Sequence, residues 1–312
     1  MSKINNLVLA GILMALALTF ALTKIFHSPR LESNVRKDLV ILDTAKVDEL
    51  RIRVAGATEW LKLARNGSSW SLEKEQKKYT ADDAAIKSVL TMLSRVEAQR
   101  MISRKKDKWD TFKVGDEATV VSVHENGTQQ ANLHIGKSGF SQANGGMMGG
   151  GGYTYVRLGD EDEVYVVNGF LESTFGRPFD DWRDKTFLRV PRDLVTKISF
   201  SYPADSSFVL EKKDSVWTIA GAPTDQVKVD SFLGQLTYKN LNAFADGFNA
   251  ASPASVVLQV DGASGTLCTI EAWRVETGWV FRSSRQPNVF FSGTGSSVEK
   301  DLLVGKSSFL KR

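Results

Sequence analysis

The side chains able to do chemistry are few in this sequence, and they lie apart. There are three histidines, His27, His124 and His134. The last two fall on neighbouring predicted strands, where a hairpin could turn them toward each other and begin a metal site. No cysteine or spaced carboxylate completes a ligand set, so both are expected to be ordinary strand residues with no metal between them. The acidic runs Asp160-Glu161-Asp162-Glu163 and Asp180-Asp181 bring carboxylates together, as acid-base catalysis would need. The first lies in a predicted turn between two strands, where a solvated charge run is expected. The second belongs to Phe179-Asp180-Asp181-Trp182-Arg183-Asp184-Lys185, whose mixed charges suit a joint between modules. No Gly-x-Ser-x-Gly elbow presents a nucleophile. Gly136-Lys137-Ser138 and Gly305-Lys306-Ser307 lack the earlier glycine that a phosphate loop requires. The one cysteine, Cys268, can form no intrachain disulfide and reads as a small buried hydrophobe. No catalytic residue and no cofactor is expected.

With little to catalyse, the elements themselves become the subject. The chain has 312 residues, 42% apolar and 24% charged, enough for two cores of about 100 to 150 residues each. Lys and Arg number 40 against 36 Asp and Glu, a net charge of +4 spread along the chain rather than gathered in a stripe, which argues against a nucleic-acid partner.

Ile4 to Phe26 is apolar, and its interior from Leu7 to Leu22 carries no charge. At about 1.5 Å per residue a helix of this length crosses a hydrocarbon core of roughly 30 Å. Residues 1–26 are thus expected to be a transmembrane anchor whose lipid-facing side chains include Leu7, Leu9, Ile12, Leu13, Leu16, Leu18, Phe20 and Leu22. A cleaved signal peptide is the competing reading, but Thr23-Lys24-Ile25-Phe26 supplies no small-x-small site. Lys24, Arg30, Arg36 and Lys37 follow the helix and only Lys3 precedes it, which by charge counting favours a cytoplasmic bulk. Long domains cross largely regardless of such charges, so the expected location of the bulk is periplasmic or otherwise extracytoplasmic, on a single-pass bacterial inner-membrane protein. Pro29 ends the helix, and 27–46 reads as a stalk.

Beyond the stalk the sequence repeats itself, and a repeat of this length means two copies of one structural unit. Val47-Asp48-Glu49-Leu50-Arg51-Ile52-Arg53-Val54 aligns with Val195-Thr196-Lys197-Ile198-Ser199-Phe200-Ser201-Tyr202, both alternating apolar and polar as a half-buried strand does. Leu61-Lys62-Leu63 through Trp70-Ser71-Leu72 matches Phe208-Val209-Leu210 through Trp217-Thr218-Ile219, with turns at Asn66-Gly67 and Asp214-Ser215. A helix follows in each copy, with Ile86, Val89, Leu90 and Leu93, or Val229, Phe232, Leu233 and Leu236, on one face. The β-rich second half of each copy pairs Thr119–Val123 with 255–259, then a turn expected at Asn126-Gly127 with one at Asp261-Gly262, and Tyr155-Val156-Arg157 with Val280-Phe281-Arg282. Lys185-Thr186-Phe187-Leu188-Arg189 and Ser307-Ser308-Phe309-Leu310-Lys311 are read as closing phrases. The expected fold is α+β: a transmembrane helix, then tandem modules at 47–189 and 190–312. Each module is an antiparallel meander with one packed helix and a second β-rich half.

One segment breaks the repeat. Asn144 to Gly152 is almost all glycine apart from Met147 and Met148, where the second copy has only Arg274-Val275-Glu276-Thr277-Gly278. Glycine loses the most backbone entropy on ordering, so this composition predicts a mobile loop. Its simplest role is a slack hairpin tip. The functional alternative is a contact made by Gly145, Gly146, Met147, Met148, Gly149 and Gly150, the polarizable methionines entering a partner's apolar groove or a lipid surface.

The order of these parts, with Tyr153-Thr154-Tyr155-Val156-Arg157, Val164-Tyr165-Val166-Val167 and Trp182-Arg183-Asp184-Lys185 in sequence, resembles the bacterial family known as domain of unknown function 4340. The resemblance covers about residues 40 to 312. It implies a non-enzymatic, membrane-anchored auxiliary subunit of an ABC-transporter-type envelope complex, with a permease, an ATPase and an extracytoplasmic auxiliary protein as partners. It supplies no catalytic residues. A lipid- or glycan-binding carrier is the alternative, resting on Trp217, Trp273, Trp279 and Phe281, although aromatics at strand spacing usually pack inward.

Overall fold

The computed structural model describes Leu13, Met14, Leu16, Thr19 and residues 36–140 and 151–311; it is mixed α+β, rich in sheet with few helices. It divides into two units, Met1–Tyr79 with Ala84–Arg177, and Thr80–Asp83 with Pro178–Arg312.

The first sheet grows from alternating strands. In β1 (Asp38–Ile41) and β2 (Val47–Arg53) the buried positions are Leu39 and Val40, then Val47, Leu50 and Ile52. There follow β3 (Leu61–Asn66), β4 (Ser69–Lys74), β5 (Lys77–Thr80), β6 (Arg95–Ser103), β7 (Thr119–Glu125), β8 (Thr128–Phe140), β9 (Gly152–Leu158) and β10 (Val164–Asn168). Their spatial order is β1-β6-β10-β9-β8-β7-β2-β3-β4-β5. Asn126 and Gly127 close the β7–β8 hairpin with φ of 50° and 75°, the paired positive values that a two-residue turn demands. Helix α1 (Asp83–Leu93) buries Ile86, Val89, Leu90 and Leu93, the stripe its sequence spacing predicted.

A sheet has two faces, and one helix covers only one of them. The other face of the first sheet is crossed by a strap that runs through a 3-10 turn (Lys106–Lys108), a short helix α2 (Trp109–Phe112) and Lys113–Asp116. It lies so close to β8 that a Cβ at Gly136 would stand 2.2 Å from the Phe112 carbonyl oxygen and 2.7 Å from a Val114 methyl. A further short helix, α3 (Leu171–Phe175), follows β10.

The second unit begins with β11 (Thr186–Leu188), then β12 (Val195–Ser201), β13 (Phe208–Lys213), β14 (Val216–Ile219) and β15 (Ala222–Pro223). After helix α4 (Gln226–Thr237) come β16 (Lys239–Asn240), β17 (Val256–Gly262), β18 (Gly265–Val275), β19 (Gly278–Ser283), β20 (Phe291–Ser292) and helix α5 (Val298–Leu302). The main sheet runs β15-β14-β13-β12-β17-β18-β19-β20, and β11 pairs with β16. Asp225 caps α4 by accepting amide hydrogens from Val227 and Lys228. Val229, Phe232, Leu233 and Leu236 of α4 join a core with Phe200, Phe281, Phe291 and Phe309.

Three local expectations need correction. The stalk expected over 27–46 is a strand from Asp38 onward, hydrogen-bonded to Arg95–Glu97, because Leu39-Val40-Ile41-Leu42 is apolar enough to join the core. Asp261-Gly262 is not a turn: both residues still pair in β17, and Gly262 faces Gly265, so the chain reverses at Ala263-Ser264. The two supposed closing phrases stand in different places. Phe187 packs edge-on against Phe281 and Phe291 at centroid distances of 6.1 and 5.6 Å, and its strand β11 pairs with β16 as β1 pairs with β6. The residue whose backbone setting is like that of Phe309 is Trp182, not Phe187. Each ends a 3-10 turn, and each carbonyl accepts an amide hydrogen at the head of a helix, Asp82 N–H to Trp182 and Asp225 N–H to Phe309.

Arg183, next to Trp182, ties this region together. Its side chain is 2% exposed, its guanidinium lies 3.5 Å from the Phe244 ring centroid, and it donates to both carboxylate oxygens of Asp246 at 2.6 and 2.8 Å. Asp180 accepts a third bond at 3.1 Å. Fully stranding a buried charge typically costs about 3 to 5 kcal/mol; losing Asp246 leaves Arg183 only its bond to Asp180, whereas an apolar replacement of the arginine of similar volume costs far less. Asp246→Ala is therefore expected to lower stability by roughly 2 to 3 kcal/mol, Asp246 being half exposed, and Arg183→Met by less; chemical denaturation of both variants checks the ranking.

Candidate partner-binding surface

The hairpin of β8 and β9 ends in aromatic side chains on both faces. Phe140 pairs with Gly152, and Gly139 with Tyr153. Phe140 is 79% exposed and meets the Phe170 ring edge-on at 4.9 Å. Phe170 lies flat over Gly152, where any Cβ would fall 2.2 Å from the ring. On the opposite face the Tyr153 ring covers Gly139 and stands 5.3 Å from Tyr155, which in turn meets Phe112 of the strap at 4.8 Å. The Lys137 ammonium lies 5.9 Å from the Tyr155 ring centroid. The Tyr155 phenol is held above its ordinary value, first by its hydrogen bond with Tyr153 and then by burial.

Behind the rings the hairpin is pinned. Thr154 is buried; its hydroxyl donates to the Gly169 carbonyl at 2.6 Å and accepts the Leu171 amide hydrogen at 3.0 Å. The Ser138 amide donates to Glu172 at 2.6 Å. The aromatic end thus projects from a fixed base.

The glycine and methionine residues Gly145, Gly146, Met147, Met148, Gly149 and Gly150, which the sequence singled out, lie outside the described residues, between Phe140 and Gly151. Of the residues expected in the anchor, Leu7, Leu9, Ile12, Leu18, Phe20 and Leu22 also lie outside them. Leu13 and Leu16 are helical and 69% and 64% exposed, with Met14 between them at 70%. Among the described residues no helix is long and apolar enough to cross a membrane.

The residues that hinted at catalysis are placed apart or bound up in structure. His134 faces Val120 and Arg157, while His124 faces Gln129 and Glu49, so the hairpin does not oppose the two imidazoles. Glu161 accepts from Tyr165 at 3.0 Å and from Arg36 at 2.8 Å, and Asp162 pairs with Lys106 at 3.4 Å. Trp217, Trp273 and Phe281 are buried at 5%, 4% and 0% exposure, and Trp217 and Phe281 belong to the core of the second unit. A cleft of about 430 Å³ opens beside the strap, between Gly56, Lys113, Asp116, Glu117, Gly136 and Glu172. Its carboxylates outnumber its one lysine, so its field favours a cation.

Phe140 and Phe170 were not singled out from the sequence. The available signal was the absence of charged side chains: no Asp, Glu, Lys, Arg or His occurs from Ser138 to Val156.

His134 helps fix the strap. Arg53, Val120, His134 and Arg157 face one another across β2, β7, β8 and β9. Three of them bind three successive carbonyls of the strap: Arg157 donates to Val114 at 3.0 Å, His134 Nδ1–H to Gly115 at 3.1 Å, and Arg53 to Asp116 at 2.9 Å. Arg157 is 3% exposed and sits 3.9 Å from the Trp109 ring centroid. Burial lowers the His134 pKa most; Arg157 and Arg53 lower it too, against the Gly115 carbonyl and Asp116, which raise it.

A family model described as "Domain of unknown function (DUF4340)" matches residues 70–260, more than half of the chain. No curated protein and no solved structure matches it.

The lowered His134 pKa sets a pH dependence. The unfolded chain takes up a proton near the ordinary histidine value of 6.5 while the folded chain still resists it. The stability this group holds at neutral pH is thus fully present above that value and is lost as pH falls toward the folded-state pKa. Replacing His134 with Asn keeps a donor near Gly115 but cannot titrate. The expected result is a flatter loss of stability between about pH 7.5 and 5 than in the natural chain, read from denaturant unfolding at each pH. Equal slopes for the two proteins would show that His134 does not govern it.

Proposed function

We propose, starting from the fact that this chain belongs to the DUF4340 family, that it is a non-enzymatic, membrane-anchored subunit that binds partner proteins outside the cytoplasm in an ABC-transporter-type envelope complex. The observation that carries this reading is how the polar groups are used. His134, Arg157, Arg53, Glu161 and Arg183, the groups most able to do chemistry, hold backbone carbonyls or opposite charges. Several large apolar side chains stand open to a partner, among them Phe140 at 79% exposure, Val227 at 79% and Ile41 at 69%. Scattered exposed apolar residues are ordinary, but Phe140 belongs to an aromatic group at one hairpin end, as a contact surface would. The segment Gly145–Gly150 is proposed to extend that contact.

The anchor over 1–26 belongs to the same proposal, supported by the uncharged run Leu7 to Leu22 and by the helical, outward-facing Leu13, Met14 and Leu16. So does descent of both units from one ancestral module. The strand order β5-β4-β3-β2-β7-β8-β9-β10 recurs as β15-β14-β13-β12-β17-β18-β19-β20, and the pairs β1–β6 and β11–β16 recur with it. Its sequence-level test is to align the two halves across many members of the family; halves no more similar than shuffled sequences would refute a duplication.

The function is tested by purifying the full chain from membranes in mild detergent. A permease and an ATPase are expected to accompany it in stoichiometric amounts. Recovery of the chain alone with tightly bound lipid or glycan would instead support a carrier.

A further inference from the structure

We propose that the aromatic end of the β8–β9 hairpin, formed by Phe140, Phe170, Tyr153 and Tyr155, rests in the headgroup layer of a phospholipid bilayer. This goes beyond the reading above, giving the aromatic end to lipid and leaving partner proteins the rest of the surface, and it rests on that reading in one respect, that the anchor keeps the first unit close to the membrane.

The first argument is chemical. Aromatic rings concentrate at the boundary between headgroups and acyl chains, where their apolar bodies leave water and any polar tips stay wet. Phe140 is 79% exposed, an unusual place for a large apolar ring, and on the opposite face of the hairpin Tyr153 and Tyr155 carry hydroxyls. The second argument is the charge pattern. No Asp, Glu, Lys, Arg or His occurs from Ser138 to Val156, so bringing Phe140, Tyr153 and Tyr155 into the interface carries no charged side chain with them. Cations stand just behind it: Lys137 lies over Tyr155, and Arg100 shares the row Arg100-Val166-Tyr155 across β6, β10 and β9. Anionic headgroups would meet these two residues while the rings sit deeper. Of the carboxylates in the cleft beside Gly136, Glu172 already accepts the Ser138 amide hydrogen, and Asp110 and Asp116 lie on the strap rather than on the hairpin.

The third argument is a comparison inside the molecule. The corresponding hairpin of the second unit closes in two residues, Glu276 and Thr277, between paired Val275 and Gly278. It carries Arg274, which pairs with Glu299 at 3.6 Å. The fold therefore does not itself require a long uncharged hairpin end.

The test places a polarity-sensitive fluorophore on Gly151→Cys in the full chain, reconstituted into vesicles of phosphatidylcholine and phosphatidylglycerol. Gly151 is exposed and has open space for a Cβ; Gly247→Cys, equally open and in the second unit, is the control, and Cys268 is buried. Lipids carrying a nitroxide on the acyl chain should quench the Gly151 label several-fold more than the Gly247 label, and Phe140→Asp should abolish most of that difference. Phe140 lies outside the core, so this variant is expected to fold. A Gly151 label quenched by aqueous iodide as readily as the control overturns the proposal. So does a label shielded from iodide but indifferent to the lipid quencher, which means that protein covers the surface. Flotation reads the anchor separately: a chain that floats with an unquenched Gly151 label keeps the anchor and loses the lipid-seated hairpin, and a chain that does not float loses both.

Discussion

Three consecutive carbonyl groups, those of Val114, Gly115 and Asp116, are held by Arg157, His134 and Arg53, and much of the first unit depends on that row. Its sheet is covered on one face by α1. Without the strap its other face would leave the side chains of β2, β7, β8 and β9 open to water. Backbone carbonyls lying on a sheet need donors, and long cationic side chains reach them while their stems stay apolar. Arg157 is the extreme case: among the described residues no carboxylate is within hydrogen-bonding reach of it, yet it donates to the carbonyls of Val114, Leu158, Gly159 and Glu161 and stacks on Trp109. The second unit meets the same constraint in another way. Arg282 occupies the matching place on β19, lies 5.2 and 5.3 Å from the Trp273 and Phe290 centroids, and pairs with Glu271 at 2.6 Å. The segment between β16 and β17 closes over that face through Phe248, packed on Trp273 and Phe290, and through Ser252, whose carbonyl accepts the Trp273 indole hydrogen at 2.9 Å. One arginine at one position is used once as a donor to backbone and once as half of an ion pair.

What could be read from the sequence follows from which forces are local. Alternation in Val47–Arg53 and Val195–Ser201, the stripes of α1 and α4 and the Asn126-Gly127 turn depend on neighbours a few residues away, and each stands where its pattern put it. Asp38–Ile41 was missed because a four-residue apolar run has no period to display, and its partner β6 lies more than fifty residues along the chain. The phrase around Phe187 was misplaced for a related reason. Its likeness to the phrase around Phe309 is one of composition, whereas the structure equates residues by hydrogen bonds, Trp182 with Phe309 and β11 with β1. The straps had no sequence signature at all: they are irregular segments defined by what they lie on.

The site was legible only in outline. The glycine-methionine stretch was visible as a break in the repeat, but the residues the structure offers as a contact surface are its neighbours. Phe140 reads in sequence like any strand aromatic, expected to face inward by alternation. Gly152 opposite it leaves space that Phe170 fills, and Phe140 meets that ring edge-on at the last pair of the hairpin, where it is left exposed. A glycine that admits a ring from a distant segment is a tertiary fact. The histidines went the other way: their types suggested chemistry, and their register across the hairpin separates them.

The contrast between the two hairpins bears on which part of the first unit answers to folding and which to use. Closing β8 on β9 needs only a short turn, as β18 and β19 demonstrate with Glu276 and Thr277. A long glycine-rich connection makes closure entropically costlier, and a ring left 79% exposed gains little from burial. Neither feature stabilises the sheet. The bonds that fix the hairpin, from Thr154 to Gly169 and Leu171 and from Ser138 to Glu172, lie at its base, behind Phe140 and Gly152. A structural element held rigidly at its root and built against its own stability at its tip is best explained by what the tip touches, and its composition, aromatic and without charge, points to an apolar boundary rather than to water.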